Sequence, residues 1–246
     1  MFPLRDDNPT VLTPVVTIVL IVANVAVWLY VQGMGTDMSV LAESVCRFGA
    51  IPAEVTGRTG GSTEVELGPG LPACELGGAT WTGVLSSMFL HGSWFHLIAN
   101  MWFLWLFGNN VEDAMGHARY LVFYVLAGVL ATGAHIFSAP DSLIPVVGAS
   151  GAISGVMGAY LVLYPRIRIQ TLFIFVIIFR IIPVPAWFVL ILWFALQLLS
   201  GYADPVGASG VAVWAHVGGF VAGVLLVKVF ENRGLARARR RRNRLA

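Results

Sequence analysis

The sequence predicts an all-α membrane protein that crosses the bilayer several times. Apolar residues make up 57% of the 246 residues and charged residues only 11%, whereas soluble domains are about 45–50% apolar and about 25% charged. The apolar residues form long continuous runs, such as TPVVTIVLIVANVAVWLYV from residue 13. An outer-membrane barrel would show alternating segments instead. The composition therefore excludes a soluble enzyme, a disordered chain and a barrel.

Six stretches are predicted as membrane-spanning helices, because a span needs about 20 predominantly apolar residues. A further apolar stretch, 171–182, is interrupted by Arg180 and followed by Pro183 and Pro185, and proline breaks helical hydrogen bonding. We interpret it as an interfacial or re-entrant piece. The chain then divides into a cytoplasmic segment 1–12, a membrane domain 13–230 and a basic cytoplasmic tail 231–246. The predicted helices are 13–31, 94–110, 119–137, 150–164, 186–199 and 213–230.

The basic residues predict the orientation of the spans. With both termini in the cytoplasm, the inside segments hold thirteen Lys and Arg residues, eight of them within 228–246, and the outside segments hold only Arg47 and Arg58. This bias follows the positive-inside rule. A basic tail can also bind nucleic acid, but next to a span it is expected to contact anionic lipid. We therefore expect membrane lipid as a partner and no nucleic acid.

The first outside loop, 32–90, is long for a compact protein. It contains both cysteines of the chain, Cys46 and Cys74. A disulfide can persist on the outer side of the cell membrane. The sequence leaves two alternatives open, which are a Cys46–Cys74 disulfide and two separate buried thiols.

Polar side chains inside membrane segments are costly and mark functional sites. The sequence contains three clusters of such residues. The first is HGSWFHLIAN, with His91, His96 and Asn100. The second is GASGAISG, with Ser150 and Ser154, and the third is AHVGGFVAG, with His216. They fall near the starts of the second, fourth and sixth predicted helices, which all run from outside to inside. The clusters are therefore expected to lie at one depth, just below the outer surface.

The spacing of small residues supports one shared site. Gly151 and Gly155 are four residues apart on the fourth helix, as are Gly219 and Gly223 on the sixth. Small residues at this spacing let membrane helices approach closely, which would bring Ser150 to His216. The fourth helix is also short, so the loop with Gly148 must dip inward. Irregular backbone at that depth lines a cavity or is buried in protein.

The residues in these clusters suit acyl transfer. Serine needs a base to become a nucleophile, and His216 is a candidate base for Ser150. Ser150 also lies at a helix N-terminus, whose free N–H groups favour developing negative charge. His96 and Asn100 could add donors to an oxyanion. Since none of the clusters contains an acidic residue, we expect a Ser–His dyad that needs no cofactor.

Together, HGSWFHLIAN, GNNVEDAMG, GASG and AHVGG resemble the rhomboid family of intramembrane serine proteases, in the family's order. The leading PLRDDNPT and the first span resemble bacterial members, which implies a plasma membrane protein. The resemblance implies a six-helix fold that cleaves transmembrane segments of other proteins, with its active site open to the extracytoplasmic side. It implies the nucleophile Ser150 and the base His216. The oxyanion donors would be His96, Asn100 and the Ser150 N–H, with His91 structural near the mouth of the cavity.

The sequence departs from the family at some points. Some members carry a tyrosine four residues after the nucleophile, under the base, where this chain has Ser154. The residue that orients His216 is therefore not predicted. The first loop lacks a Trp–Arg pair found in some members, and the stretch 57–78 resembles an insertion.

Two other functions stay open at this stage. One is a catalytically inactive rhomboid-like protein that binds membrane-protein clients, although such relatives typically lose the Ser or the His. The other is a metal or haem protein that uses His91, His96 and His216, but the chain has no HExxH motif. For the protease, we expect sideways substrate access past the fifth helix and the loop 201–210. We also expect a preference for segments with Gly or Pro, since a helix hides its peptide bonds.

Overall fold

The structure is a computed structural model that describes residues 2–68, 70–76, 81–175, 178–203 and 212–235. It is mostly helical. The helices of the membrane domain are α1 (Val15–Tyr30), α5 (Trp94–Met115), α6 (His117–Ser138), α7 (Ser150–Leu163), α8 (Ala186–Ala203) and α9 (Val213–Phe230). Three of these, α6, α8 and α9, are long and apolar enough to cross a membrane, while α1 and α7 are shorter apolar helices.

Helix α7 lies at the centre of the bundle. Its residues from Gly151 to Tyr160 are all buried, and it packs against α5, α6 and α9. Helix α8 lies at the periphery, since only 22% of its most apolar stretch is buried, compared with 39% for α6 and α9. The centre of the bundle thus surrounds the helix that begins at Ser150.

The C-terminal end of α5 holds the start of α1. Glu112 accepts hydrogen bonds from the backbone N–H groups of Val16 and Thr17, at 2.9 and 2.8 Å, and from the Thr17 hydroxyl at 2.7 Å. These N–H groups belong to the first turn of α1 and have no acceptor within the helix. Asp113 accepts in the same way from the backbone of the residues before α1. The acidic pair of the GNNVEDAMG motif therefore fixes α1 against α5.

The all-α prediction was incomplete, because the structure contains a three-stranded antiparallel sheet. Its strands are β1 (Phe2–Asp6), β4 (Arg168–Phe175) and β5 (Ile178–Pro185), in the order β1–β4–β5. The stretch predicted as an interfacial or re-entrant piece forms most of the β4–β5 hairpin, and the predicted N-terminal segment supplies β1. The β-branched residues of the hairpin suit extended backbone. Pro183 and Pro185 lie in the edge strand β5, where proline is tolerated.

The long segment 32–90 is folded rather than an open loop. It contains α2 (Met38–Phe48), α3 (Pro52–Thr56), the short strands β2 (Glu64–Val65) and β3 (Cys74–Glu75), and α4 (Trp81–Ser86). A disulfide joins Cys46 of α2 to Cys74 of β3, with Cα atoms 5.1 Å apart. Ala50 exchanges backbone hydrogen bonds with Val146, at 3.1 and 2.8 Å. The segment is therefore tied to the loop that precedes α7.

Candidate active site

Ser150 and His216 meet at the same end of the bundle. Ser150 is the first residue of α7, and His216 lies in the first turn of α9. The Ser150 Oγ and the His216 Nε2 are 2.8 Å apart, which is a hydrogen-bonding distance. A nucleophile and a base at this distance can transfer a proton without rearrangement.

Glycine brings the two helices together. A Cβ added to Gly219 would overlap the carbonyl oxygen of Gly151, and one added to Gly223 would overlap that of Gly155. The backbones of α7 and α9 are thus in direct contact along two turns. Any side chain at these positions on α9 would separate the helices and pull His216 away from Ser150.

Gln197 holds the other nitrogen of His216. Its Oε1 atom lies 3.0 Å from the His216 Nδ1. An amide oxygen only accepts hydrogen bonds, so this contact assigns the proton to Nδ1 and leaves the Nε2 lone pair facing the Ser150 hydroxyl. The ring of Trp193, one turn earlier on α8, lies beside the imidazole with 6.0 Å between the centroids. Helix α8 therefore orients the candidate base.

His96 and Asn100 lie on α5 and face the same space as Ser150. Both line a common cavity with it, and the Asn100 Nδ2 is buried without an acceptor among the described residues. The backbone N–H of Gly92 lies 3.4 Å from the His96 Nδ1, so the tautomer that satisfies it carries its proton on Nε2. Gly148 has φ +128°, and a Cβ there would lie 2.9 Å from the His96 Nε2. Glycine thus lets the loop before α7 pass over the imidazole.

His91 supports the start of α5 from behind. Its side chain is completely buried, and its ring packs edge-on against that of His96 at 5.1 Å. Gln32 binds the His91 backbone twice, accepting from its N–H and donating to its carbonyl oxygen, both at 2.8 Å. Burial, followed by the nearby His96, lowers the pKa of His91 to about 3. A neutral imidazole in this position suits a packing role.

The candidate site opens into a cavity of about 480 Å³ between α5, α7, α8 and α9. Its walls are largely apolar, and its few polar groups converge on Ser150. Ser154 also lines the cavity, but its hydroxyl donates to the Ser150 carbonyl oxygen at 2.6 Å. The lining residues are Phe95, His96, Ala99, Asn100, Phe103, Val147, Ser150, Ile153, Ser154, Met157, Trp193, Gln197, Ala212 and His216.

The metal hypothesis gains no support from the geometry. Within the part of the chain that the structure describes, no group of three or more His, Cys, Asp or Glu side chains is placed to hold a metal ion. The loop expected to cap the site, 201–210, lies mostly outside the described residues, as does most of the basic tail.

A model of the rhomboid domain matches residues 78–233, which include all four helices around the cavity. The chain belongs to the rhomboid family. It is 32% identical over 167 residues to the rhomboid protease GluP of Bacillus subtilis, covering 67% of this chain and 29% of that protein. It is 33% identical over 148 residues to the mitochondrial rhomboid protein 1 of Saccharomyces cerevisiae, covering 58% and 40%. It is 32% identical over 151 residues to the rhomboid-like protease 5 of Toxoplasma gondii, covering 58% and 15%.

Membership of the rhomboid family and the apolar helices make this a membrane protein. The aligned residues span 40% or less of the length of each of these three relatives. The family includes proteins named as proteases, which agrees with the chemistry of the site.

Two residues of the site were not predicted, Gln197 and Gln32. Gln197 is a single polar residue in the apolar run ILWFALQLLS, and a polar residue within a span is a functional hypothesis by default. That signal was available in the sequence. Gln32 directly follows the first predicted helix, and no local pattern connects it to His91, 59 residues away.

Proposed function

We propose that this rhomboid is an intramembrane serine endopeptidase with a dyad of Ser150 and His216. The observation that carries the proposal is the 2.8 Å contact between Ser150 Oγ and His216 Nε2 at the base of a cavity. His216 takes the hydroxyl proton as Ser150 attacks a peptide carbonyl carbon of the substrate. Gln197 keeps the Nδ1 proton in place, so that Nε2 is the basic atom.

The attack would produce an oxyanion, and we propose three groups as its hydrogen-bond donors. The Ser150 backbone N–H lies in the first turn of α7, where N–H groups have no helical acceptor. The Asn100 Nδ2 is a buried donor without an acceptor among the described residues. A Cβ at Gly148 would lie 2.9 Å from the His96 Nε2 and 3.4 Å from the Ser150 Oγ, so the two side chains flank the same point of the loop. A donor already in place costs no reorganisation when charge develops.

The protonated His216 then gives its proton to the leaving amine, and the peptide bond breaks to leave an acyl-Ser150. Water enters from the cavity, His216 takes a proton from it, and the resulting hydroxide attacks the acyl carbon. The Ser150 oxygen leaves and recovers the proton from His216. All protons are balanced by the dyad and water, so the reaction needs no cofactor.

The proposed substrates are transmembrane segments of other membrane proteins. We propose six spans, α1 and α5 to α9, with both termini in the cytoplasm and the cavity open to the extracytoplasmic side. The positive-inside bias supports this orientation. The resemblance of PLRDDNPT to bacterial members supports a bacterial plasma membrane. The domain division stays a prediction, with a membrane domain 13–230 between a short N-terminal segment and the basic tail.

The deciding experiment is cleavage of a membrane-embedded model substrate by the purified full chain in detergent. Wild type is expected to cleave, and Ser150→Ala and His216→Ala are expected to lose activity. A fluorophosphonate probe should label wild type and not Ser150→Ala. Thermal melts of all three proteins control for folding. A wild-type protein that neither cleaves nor is labelled would contradict the proposal and favour the client-binding alternative.

A second experiment tests unwinding of the substrate. A peptide bond in a helical segment is hidden by helical hydrogen bonds, so it must be exposed before attack. Replacing Gly or Pro near the scissile bond by Leu should slow cleavage. The same replacement far from the bond is the control. Equal rates for all three substrates would refute the unwinding step.

A further inference from the structure

The three-stranded sheet presents a face that the proposed protease does not use. Side chains alternate between the two faces of a strand, so the pairing register assigns each residue to a face. One face, containing Asp6, Ile169 and Thr171, packs against the bundle. The opposite face, called here the outward face, carries Arg5, Arg168, Gln170, Leu172, Ile174, Phe179, Ile181 and Pro183, while the ring of Phe2 packs against Trp102 of α5.

The sheet stands beside α5, with its strands running along the helix. Asp6 accepts a hydrogen bond from the Asn110 Nδ2 at 2.9 Å, and the Pro3 carbonyl accepts one from the Trp102 Nε1 at 2.8 Å. Residues 102 and 110 are about 12 Å apart along α5, and residues 3 and 6 are about 10 Å apart along β1. The hairpin therefore follows the membrane-spanning direction.

The base of the hairpin marks the level of the membrane surface opposite the cavity. Ala186, the first residue of α8, donates to the Ile167 carbonyl at 2.8 Å, and Trp187 donates to that of Pro165 at 3.0 Å. Helix α7 ends at Leu163 just before this point. The hairpin thus begins where α7 ends and returns where α8 begins.

The outward face changes from basic to apolar along its length. Arg5 and Arg168 lie near the base and are exposed, as is Arg166 just before β4. Farther along, Ile174 is 55% exposed and Phe179 is 65% exposed. Ile174 is about 20 Å from Arg168 along the strand, while half of a bilayer's hydrocarbon core is about 15 Å thick.

We propose that the outward face is embedded in the leaflet opposite the cavity opening and that Arg5, Arg166 and Arg168 bind the phosphates of anionic phospholipids. Its apolar end contacts acyl chains, which is how exposed apolar surface is covered in a membrane. Arginine suits the phosphate oxygens. Within the described residues, none of the three arginines forms an ion pair with a carboxylate.

Three other charged residues lie on or beside the sheet. Asp6 faces the bundle, where it binds Asn110 and Tyr160. Asp7 accepts from the Gln170 amide at 2.8 Å at the basic end of the sheet. Arg180 pairs with Phe173 in the register, on the face opposite to the outward one.

The free edge of β5 favours lipid over an added peptide strand. Pro183 and Pro185 pair with Gln170 and Arg168 in the ladder. Proline has no N–H and is confined to edge strands, with that side away from the ladder. Two potential donors at this edge are therefore absent. Both prolines lie at the basic end of the hairpin, so they remove hydrogen bonds that strand addition would need there.

Depth measurements on the full chain test the embedding. Single Ile181→Cys and Arg168→Cys variants carry a nitroxide label, and the protein is reconstituted in vesicles of phosphatidylcholine and phosphatidylglycerol. The label at 181 should collide with oxygen and be shielded from a water-soluble nickel chelate, and the label at 168 should show the reverse. Equal access of nickel to both labels would overturn the proposal. Shielding of residue 181 from both reagents would indicate a protein partner and would also overturn it.

Lipid binding is tested with a triple variant, R5Q/R166Q/R168Q, and with R180Q as the matched control on the same hairpin. Partition of pyrene-labelled phosphatidylglycerol is read by energy transfer from the tryptophans. Each arginine is expected to contribute about fivefold and the three about one hundredfold, while R180Q should match wild type. The basic tail is present in every variant, so its contribution cancels.

Two results would overturn the arginine assignment. One is an equal lipid preference in all variants, and the other is displacement of the labelled lipid by millimolar inorganic phosphate. Neither readout depends on proteolysis. A failure of the proposed protease activity would therefore be distinguishable from a failure of lipid binding.

Discussion

Gln197 provides the sharpest test of the proposed dyad, since none of the motifs that carry the family resemblance contains it. The Gln197→Met variant keeps the side-chain length but removes the oxygen that lies 3.0 Å from the His216 Nδ1. A neutral hydrogen bond contributes about 0.5–1.5 kcal/mol net. Gln197 lines the cavity, so water can replace part of the lost contact. The cost to catalysis should therefore be about 1.4 kcal/mol or less, which is up to about tenfold in rate.

Two assays separate the base from the substrate site. Gln197→Met should slow substrate cleavage and fluorophosphonate labelling of Ser150 by the same factor, because both reactions need His216 as the base. Gln197→Glu keeps an acceptor oxygen and should restore much of the labelling rate. Leu196→Met, an exposed neighbour on α8, is the control for altering this helix.

The reasoning fails if Gln197→Met labels at the wild-type rate and melts at the wild-type temperature. It also fails if cleavage falls while labelling does not change, because Gln197 would then act on the substrate and not on the base. A parallel loss in Gln197→Glu, which keeps both the side-chain shape and an acceptor oxygen, would show that the acceptor oxygen alone does not account for the role of Gln197.

Three further predictions concern the support of the site. Gly223→Ala should lower the melting temperature and abolish most cleavage. The added methyl group overlaps a carbonyl oxygen of α7, and overpacking costs about 1–3 kcal/mol. Gly133→Ala, with open space around it, should melt like wild type. The Cys46–Cys74 disulfide joins residues that are 28 positions apart, so reducing it should lower the free energy of unfolding by about 3–4 kcal/mol. The stability of a Cys46→Ser/Cys74→Ser protein should not respond to the reductant. Because the pKa of His91 falls from 6.5 to about 3 on folding, the unfolded state binds the extra proton, so stability should fall as pH drops from about 6.5 towards 3. In His91→Gln, the melting temperature should depend less steeply on pH across this range than in wild type. An unchanged dependence on pH would contradict the low pKa of His91.

The sequence predicted the parts of the structure that depend on local pattern. Apolar runs located the main helices, and the spacing of Gly219 and Gly223 predicted the close approach of two of them. The ends were less accurate. The second predicted helix stopped at residue 110, whereas α5 continues to Met115, because Glu112 and Asp113 are satisfied by the backbone before and within α1. Charged residues that end a span by composition can thus continue a helix when a neighbour binds them.

The sheet could not be predicted because its evidence is distributed over the chain. A short apolar run does not distinguish a strand from a buried helix by periodicity alone, and Pro183 and Pro185 excluded a regular helix without indicating the alternative. The partner strand β1 is more than 160 residues away in the sequence. Its place is fixed by tertiary contacts, which are the pairing with β4 and the hydrogen bonds of Asp6 and Trp102.

The orientation of His216 shows how a departure from a family pattern can be compensated elsewhere. Ser154 occupies the position of the tyrosine found under the base in some members, and its hydroxyl is used by the backbone of its own helix. Support for His216 comes from α8 instead, through Gln197 and Trp193. Helix α8 is also the least buried wall of the cavity. In the proposed mechanism, a substrate segment that displaced α8 would move the group that holds the Nδ1 proton, so attack by Ser150 should be slower until α8 returns or another acceptor replaces Gln197.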